Sequence, residues 1–326
     1  MKNSSITTVL VPGADGPAGI NTIKSLRMAK FSGKIVASDP SPISAGFFMA
    51  DASEIIPEAD NALFLDHLFN IVSKHKVTVL MPSSGYDIYP YSDRKDKLLE
   101  LGALAVVSDK KTLRICRDKF MTHKALCSKF DLPFTTIDEK KIQEFPVIAK
   151  PRYGKGSRDI LKVNNEKDLR YALSKYDDLV FQEYLPGVEY TIDVLSNLKQ
   201  EPLIAVPRIR LQTKAGISTK GRVVRDERIE DICKSIAGFL KINGPCCIQM
   251  KESKDGVLKF LEVNPRLGGG TIFTTLAGAN FPAMIVQMAK GEEPIIPEVS
   301  EITVIRYYEE IVIRNEDSMK FGSNSS

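Results

Sequence analysis

Short apolar runs alternate with amphipathic stretches through the first hundred residues, and this rhythm narrows the fold more than any other feature. Residues 6–11 (ITTVLV) read as a buried strand, and a glycine-punctuated turn over residues 13–19 leads into a helix reaching about Ala29. The strand Lys34–Asp39, a helix near 63–75, the strand Val77–Met81, a helix over roughly 92–101 and a short strand Ala103–Val107 follow. Strands alternating with helices in short units predict a parallel, doubly wound sheet, because a parallel strand needs a crossover to return. This α/β unit is expected to occupy residues 1–112.

The texture then changes. A helix around Leu113–Phe130 opens a second part, and from Phe145 the pattern becomes strands joined by turns: Val147–Lys150, Ile160–Val163, Leu179–Glu183, Glu189–Leu195 and Leu203–Val206. A helix at 226–241, the strand Cys246–Lys251, the turn Ser253–Gly256, the strand Leu258–Val263 and a helix over about 271–290 complete an α+β domain spanning 113–315. Residues 316–326 are polar and read as a flexible tail. A chain of 326 residues suits two such domains.

Composition sets limits on partners. The net charge of +4 is mild, and no dense basic run or zinc-finger spacing points to nucleic acid. No apolar stretch reaches membrane-spanning length, and the N-terminal apolar run is too short for a signal peptide. The five cysteines, Cys116, Cys127, Cys233, Cys246 and Cys247, are odd in number and lack metal-site spacing, so they read as reduced thiols of a cytoplasmic protein.

The densest chemistry lies in Phe260–Gly270, FLEVNPRLGGG. Side chains alternate along a strand, so Glu262 and Asn264 project from one face as two oxygen ligands suited to Mg²⁺ (or Mn²⁺). Pro265 ends the strand, Arg266 adds a cation, and three glycines allow a close backbone approach. Antiparallel pairing across the turn at Asp255-Gly256 would set Gln249 opposite this strand as a third oxygen ligand.

Other segments have two readings each. Gly13, Gly16 and Gly19, with Asp39 at a strand end, suit a dinucleotide pyrophosphate and ribose, but equally suit tight strand–helix packing. Tyr171 and Lys175, the spacing of a reductase pair, read as a solvated helix face. Lys150 ends a buried strand before a loop, Gly154, Lys155, Gly156 and Ser157, that offers backbone N–H groups to phosphate; a hairpin with a basic turn fits as well. The strand–turn–strand from Phe181 to Asp193 could read an adenine edge and ribose hydroxyls, or be an ordinary hairpin. Arg208, Arg210 and Lys220 belong to a basic strip that suits a carboxylate or phosphoryl group, or simply a solvated edge.

In this order the motifs resemble the ATP-grasp superfamily, and more narrowly the short, single-unit relatives of the carbamoyl-phosphate synthase large subunit, over roughly residues 1–315. The resemblance implies a Rossmann-like pre-ATP-grasp domain followed by two α+β lobes clasping ATP, with a lid at roughly 145–186. It implies that Lys119 and Lys150 contact the nucleotide phosphates and that Gly154–Ser157 closes over them. Gln182, Glu183 and the backbone of Tyr184 and Leu185 would meet adenine, and Glu189 ribose. Glu262 and Asn264, with Gln249 nearby, would hold the metal, and Arg266 would steady the transferring phosphate. Arg208, Arg210 and Lys220 would stabilise an acyl phosphate or grip a carboxylate. The chain departs from full carbamoyl-phosphate synthases in its single unit and in Gly268-Gly-Gly270, placed at the edge of the acceptor pocket, so the reaction type carries over rather than the substrate. The expected activity is that of a ligase joining a small carboxylate to an amine, without nucleic acid or membrane and with room for a homodimer. A regulatory ATP-binding module is the alternative, and a reductase using NAD(P) a third.

Overall fold

The computed structural model describes residues 7–154 and 159–313. Strands β1 (Thr8–Pro12), β2 (Lys34–Asp39), β3 (Ala52–Ile55), β4 (Val79–Leu80) and β5 (Leu104–Ala105) form a wholly parallel sheet in the order β3-β2-β1-β4-β5. Helices α1 (Pro17–Met28), α2 (Phe64–His75), α3 (Ile88–Asp93) and α4 (Lys95–Glu100) belong to the same unit. Val9 and Val11 pack with Ile23 and Leu26 of α1, whereas Leu10 packs with Leu68, Ile71 and Val72 of α2. One strand thus feeds two cores, as a sheet covered on both faces requires. The doubly wound expectation holds. The half-exposed edge strand β3 escaped the apolar pattern, and the expected helix at 92–101 is two short pieces meeting at Arg94.

Helices α5 (Lys110–Arg117) and α6 (Lys119–Leu126) replace the single helix expected to Phe130. Asp118 breaks it: its backbone is extended, and its carboxylate accepts the N–H groups of Phe120 and Met121 as an N-cap.

Next comes a small antiparallel sheet of β6 (Thr135–Thr136), β7 (Val147–Pro151), β8 (Leu161–Val163) and β9 (Leu179–Glu183), in the order β6-β9-β7-β8. With α7 (Glu166–Lys175) it encloses its own core of Val147, Ala149, Val163, Leu169, Ala172 and Phe181. Tyr171 and Lys175 are both exposed on α7, as a solvated face requires.

A six-stranded antiparallel sheet completes the fold: β10 (Glu189–Ser196), β11 (Pro202–Lys214), β12 (Ile217–Val223), β13 (Pro245–Glu252), β14 (Leu258–Asn264) and β15 (Thr303–Ile305), in the order β14-β13-β10-β11-β12-β15. The short strand expected at Leu203–Val206 is the start of a thirteen-residue β11, which turns at Ala215 and Gly216, both of positive φ, into the unforeseen β12. Charged residues there interrupt the apolar alternation that would have revealed a strand.

Helix α8 (Glu227–Phe239) lays Ile229, Cys233, Ile236 and Ala237 on the back of this sheet, against Ile192, Val194, Cys246 and Ile248. Alternation therefore turns Thr191, Asp193, Arg208, Arg210, Cys247, Gln249 and Glu262 to the front. The expected helix over 271–290 is α9 (Thr271–Leu276) and α10 (Phe281–Ala289), parted at Gly278, whose φ is +112°. Phe273, Phe281 and Ile285 of these helices share one core with Val9, Ile23 and Leu26, and Ser25 Oγ lies 2.8 Å from Thr275 Oγ1. The parallel sheet and the six-stranded sheet are joined by continuous apolar packing. No helix among the described residues is long and apolar enough to cross a membrane.

Candidate active site

Two cavities meet where the three sheets converge. The first, about 260 Å³, lies between the small sheet and the front of the six-stranded sheet, with Lys119, Lys150, Gln182, Glu189, Gln249 and Glu262 in its walls. The backbone-bearing segment Glu183–Leu185 and Gly154 also line it, together with the apolar side chains Ile148, Ile160 and Leu261. The second cavity, about 820 Å³, opens toward the parallel sheet and is lined by Glu262, Asn264 and Arg266 from β14 and its following turn. Lys119, Gly154 and Glu262 belong to both.

Lys150 is 6% exposed, and its Nζ donates to Gln182 Oε1 at 2.8 Å. Burial pushes its ammonium down to about 8, against which Glu262 and Glu189 pull upward while Lys119 adds to the depression. Lys119 Nζ donates to the carbonyls of Pro151 and Gly154, at 3.1 and 3.0 Å, and burial lowers its pKa too, opposed by Glu262. One buried and one half-buried ammonium facing one carboxylate make a cavity that stabilises anions. Asp118 ties this wall together: Arg152 Nη2 donates to it at 2.7 Å and the Tyr153 hydroxyl at 3.1 Å.

Gln182, Glu183, Tyr184 and Leu185 all line one end of the first cavity. The Glu183 carboxylate accepts from Lys259 Nζ at 2.7 Å and from the Phe134 N–H, so Glu183 lines the cavity with its side chain already engaged. Tyr184 and Leu185 leave the strand ladder there, with Lys162 Nζ 4.0 Å from the Tyr184 ring centroid. Glu189 is bracketed by Arg210, to which it is hydrogen-bonded, and Lys251 at 4.0 Å.

Gln249 pairs directly with Glu262 across β13 and β14, and Asn264 Nδ2 donates to Glu262 Oε1 at 3.1 Å. These three side chains offer one carboxylate and two amides, with no thiolate or imidazole. That set fits a hard cation held jointly with phosphate oxygens and water. Among the described residues no group of three His, Cys, Asp or Glu could hold a metal unaided.

The basic strip is corrected by the structure. Arg208 is 3% exposed and lines neither cavity; its Nη1 donates to Asp193 Oδ2 at 2.5 Å. Thr274 Oγ1 and Cys247 Sγ donate to the same carboxylate, at 2.6 and 2.9 Å. Arg210 lines the first cavity but is committed to Glu189, and Lys220 is exposed on β12 outside both cavities. None of the three reaches the second cavity. Lys155, Gly156 and Ser157 lie outside the described residues.

The triple glycine also has a different role from the one expected. A Cβ on Gly268 would meet Cys247 Sγ at 2.3 Å, and one on Gly270 would meet the Arg208 guanidinium at 2.5 Å. These glycines let the loop press onto the sheet rather than edge a pocket. The Gly269 carbonyl accepts from Asn21 Nδ2 of α1 at 2.8 Å and from Arg306 Nη2 beyond β15 at 2.6 Å, and Leu267 N–H donates to the Pro82 carbonyl at 2.8 Å. The Gly13 turn is closed similarly. Asp39 accepts the N–H groups of Asp15 and Ser41, both at 2.9 Å, and a Cβ on Gly19 would meet the Gly13 carbonyl at 2.3 Å. This favours the packing reading over a dinucleotide site. The cysteines are all free thiols; Cys246 faces the α8 core and Cys247 the front, as alternation demands.

Sequence reasoning missed Arg117, Tyr89 and Tyr153 of the second cavity and Lys251 of the first. Only Lys251 carried a signal, standing two residues after Gln249 on the same strand face.

Comparison with known proteins agrees with this architecture. A family model described as ATP-grasp in the biosynthetic pathway with Ter operon matches residues 175–311. D-alanine–D-alanine ligase of Petrotoga mobilis is 30% identical over 134 residues, covering 39% of this chain and 44% of that protein. Carbamoyl phosphate synthase large chain of Clostridium botulinum is 24% identical over 278 residues, 76% of this chain and 25% of that one. The chain thus spans less than half the length of these relatives. The biotin carboxylase of Campylobacter jejuni, solved with β-γ-ATP, superposes with a TM-score of 0.71 at 15% identity, over 90% of this chain and 72% of that one. Residues 175–311 thus match the ATP-grasp family model, and the fold of the biotin carboxylase is shared along nearly the whole chain.

Proposed function

We propose that the chain is an ATP-dependent ligase. ATP phosphorylates a substrate carboxylate, and an amine or similar nucleophile then displaces phosphate from the acyl phosphate, leaving ADP and phosphate. The observation that carries this reading is the junction of the two cavities at Lys119, Gly154 and Glu262. A nucleotide in the first would present its terminal phosphate to an acceptor in the second.

The residues divide the work by position. Lys150 and Lys119 bind phosphate oxygens, and an anion beside Lys150 raises its lowered pKa and favours the ammonium form. Glu189, fixed by Arg210, meets ribose hydroxyls, while Tyr184 and Leu185 offer backbone to adenine. Gln249, Glu262 and Asn264 would hold Mg²⁺ (or Mn²⁺), which supplies charge neutralisation when bound. Arg266, at the wall of the second cavity, is placed to steady the phosphoryl group as it moves.

Coupled ADP release over pairs of carboxylates and amines tests this. Glu262→Ala and Arg266→Ala should each lower kcat by about 10²–10³. Unchanged turnover in both would sink the assignment, and ATP-induced stabilisation without any acceptor-dependent ADP release would favour a regulatory module instead.

A further inference from the structure

The three basic residues expected to grip the acceptor carboxylate are engaged or placed elsewhere, so the cation that does so must come from the second cavity. Arg117, the last residue of α5, lines that cavity with its guanidinium 5.2 Å from the Tyr89 ring centroid and 5.9 Å from that of Tyr153. Tyr153 is anchored by its hydroxyl to Asp118 at 3.1 Å, so the stack rests on a fixed ring. Among the described residues Arg117 pairs with no carboxylate. Arg117 is exposed, and a guanidinium lying near two ring faces keeps its donor edge available for a planar anion.

The cavity has a second charged region. Glu58 and Asp60, on the loop between β3 and α2, line it as well, and among the described residues neither has a cationic partner. Among the described residues the cavity therefore carries guanidinium groups and carboxylates that form no ion pair, with Arg266 Nη1 donating to the Leu267 carbonyl at 2.8 Å. Its volume of about 820 Å³ is far larger than a bicarbonate ion needs and lies within the usual range for organic ligands.

We propose that the acceptor is an amino-bearing carboxylate, an amino acid or short peptide, whose carboxylate is oriented by Arg117 beside Arg266 and whose ammonium faces Glu58 and Asp60. The proposal rests on the ligase reading above. It makes Arg117 a specificity-determining residue: it selects and aims the acid without touching the nucleotide cavity, whose lining does not include it. Glu58 and Asp60 are exposed, so solvent screens them and each contributes only a few-fold to selection.

The test measures ADP release with hydroxylamine as a common nucleophile, across free amino acids, dipeptides and their N-acetyl counterparts. The free compounds should exceed their acetylated partners about tenfold or more in kcat/KM. Arg117→Gln should raise KM for the preferred acid about tenfold or more, with KM for ATP changed less than about twofold. Arg117→Lys, which keeps the charge and loses the planar stack, should fall between. Glu58→Gln with Asp60→Asn should bring the free-to-acetylated ratio toward one. Melting temperatures with and without ATP show that each variant is folded. Equal use of acetylated and free acids, or an Arg117→Gln enzyme with unchanged KM for its acid, overturns the proposal while leaving the ligase reading intact. ADP release with no acid at all overturns the ligase reading and this inference with it.

Discussion

Lys150 Nζ donates to Gln182 Oε1 at 2.8 Å between neighbouring strands β7 and β9, and both side chains are almost wholly buried. The ammonium has no carboxylate in contact, so its charge is poorly compensated until an anion arrives. From its ordinary value of 10.5, burial brings it to about 8. Between those values the unfolded chain holds the proton and the folded one has released it, so ligand-free stability should rise with pH across that window. Affinity for ATP should fall over the same window, because the neutral amine no longer pairs with phosphate. Calorimetric titration from pH 7 to 9.5 checks this, with Lys150→Met expected to abolish the Lys150-dependent part of the slope. An unaltered slope in the variant would refute the assignment.

Arg208 should behave as a structural residue. Its partner Asp193 collects donors from Arg208, Thr274 and Cys247 in a site that is 1% exposed. Removing one side of a buried pair leaves an uncompensated charge, at a cost of about 3–5 kcal/mol. Arg208→Leu and Asp193→Leu should each lose about that much in denaturant unfolding, and the double variant should lose less than their sum. Strict additivity would contradict the pairing.

Gly268→Ala should destabilise by about 1–3 kcal/mol through overpacking, because its Cβ would meet Cys247 Sγ at 2.3 Å. In a Cys247→Ala background that contact disappears, and the cost should shrink by about half or more. Equal costs in both backgrounds would mean that something other than the sulfur confines the loop.

Asp118 links helix capping to the wall of the first cavity that carries Lys119 and Lys150. Burial would raise its pKa, but the Arg152 guanidinium, the Met121 N–H and the Tyr153 hydroxyl hold it below the usual carboxylate value. Its stabilising contribution is therefore present above the unfolded value and lost as pH falls through the lower folded one. Asp118→Asn should raise KM for ATP several-fold through Lys119 and Arg152, while Asp118→Ala should also lose about 1 kcal/mol of stability with the cap. An Asp118→Asn enzyme with unchanged KM for ATP would dissociate the two roles.

What the sequence disclosed, and what it withheld, follows from where each signal is written. Alternation placed Glu262 and Asn264 on one face, and the Asp255-Gly256 turn set Gln249 opposite Glu262; both are local, and both appear in the structure. Lys150 and Glu189 were legible because they sit at strand ends within motifs. The basic strip misled because charge density says nothing about partners: Asp193, fifteen residues before Arg208, claims it only once β10 and β11 pair. Arg117 was invisible for the converse reason. Its stack joins Tyr89 and Tyr153 from segments that meet only in three dimensions. The breaks at Asp118 and Gly278 were missed because the flanking apolar periodicity runs through them.

The Gly269 carbonyl is gripped from both ends of the chain, by Asn21 near its start and Arg306 near its close. During synthesis, Lys119, Lys150 and Glu262 all leave the ribosome well before Arg306 does. The loop after Arg266 therefore lacks its last fastening until Arg306 has been made and has taken its place.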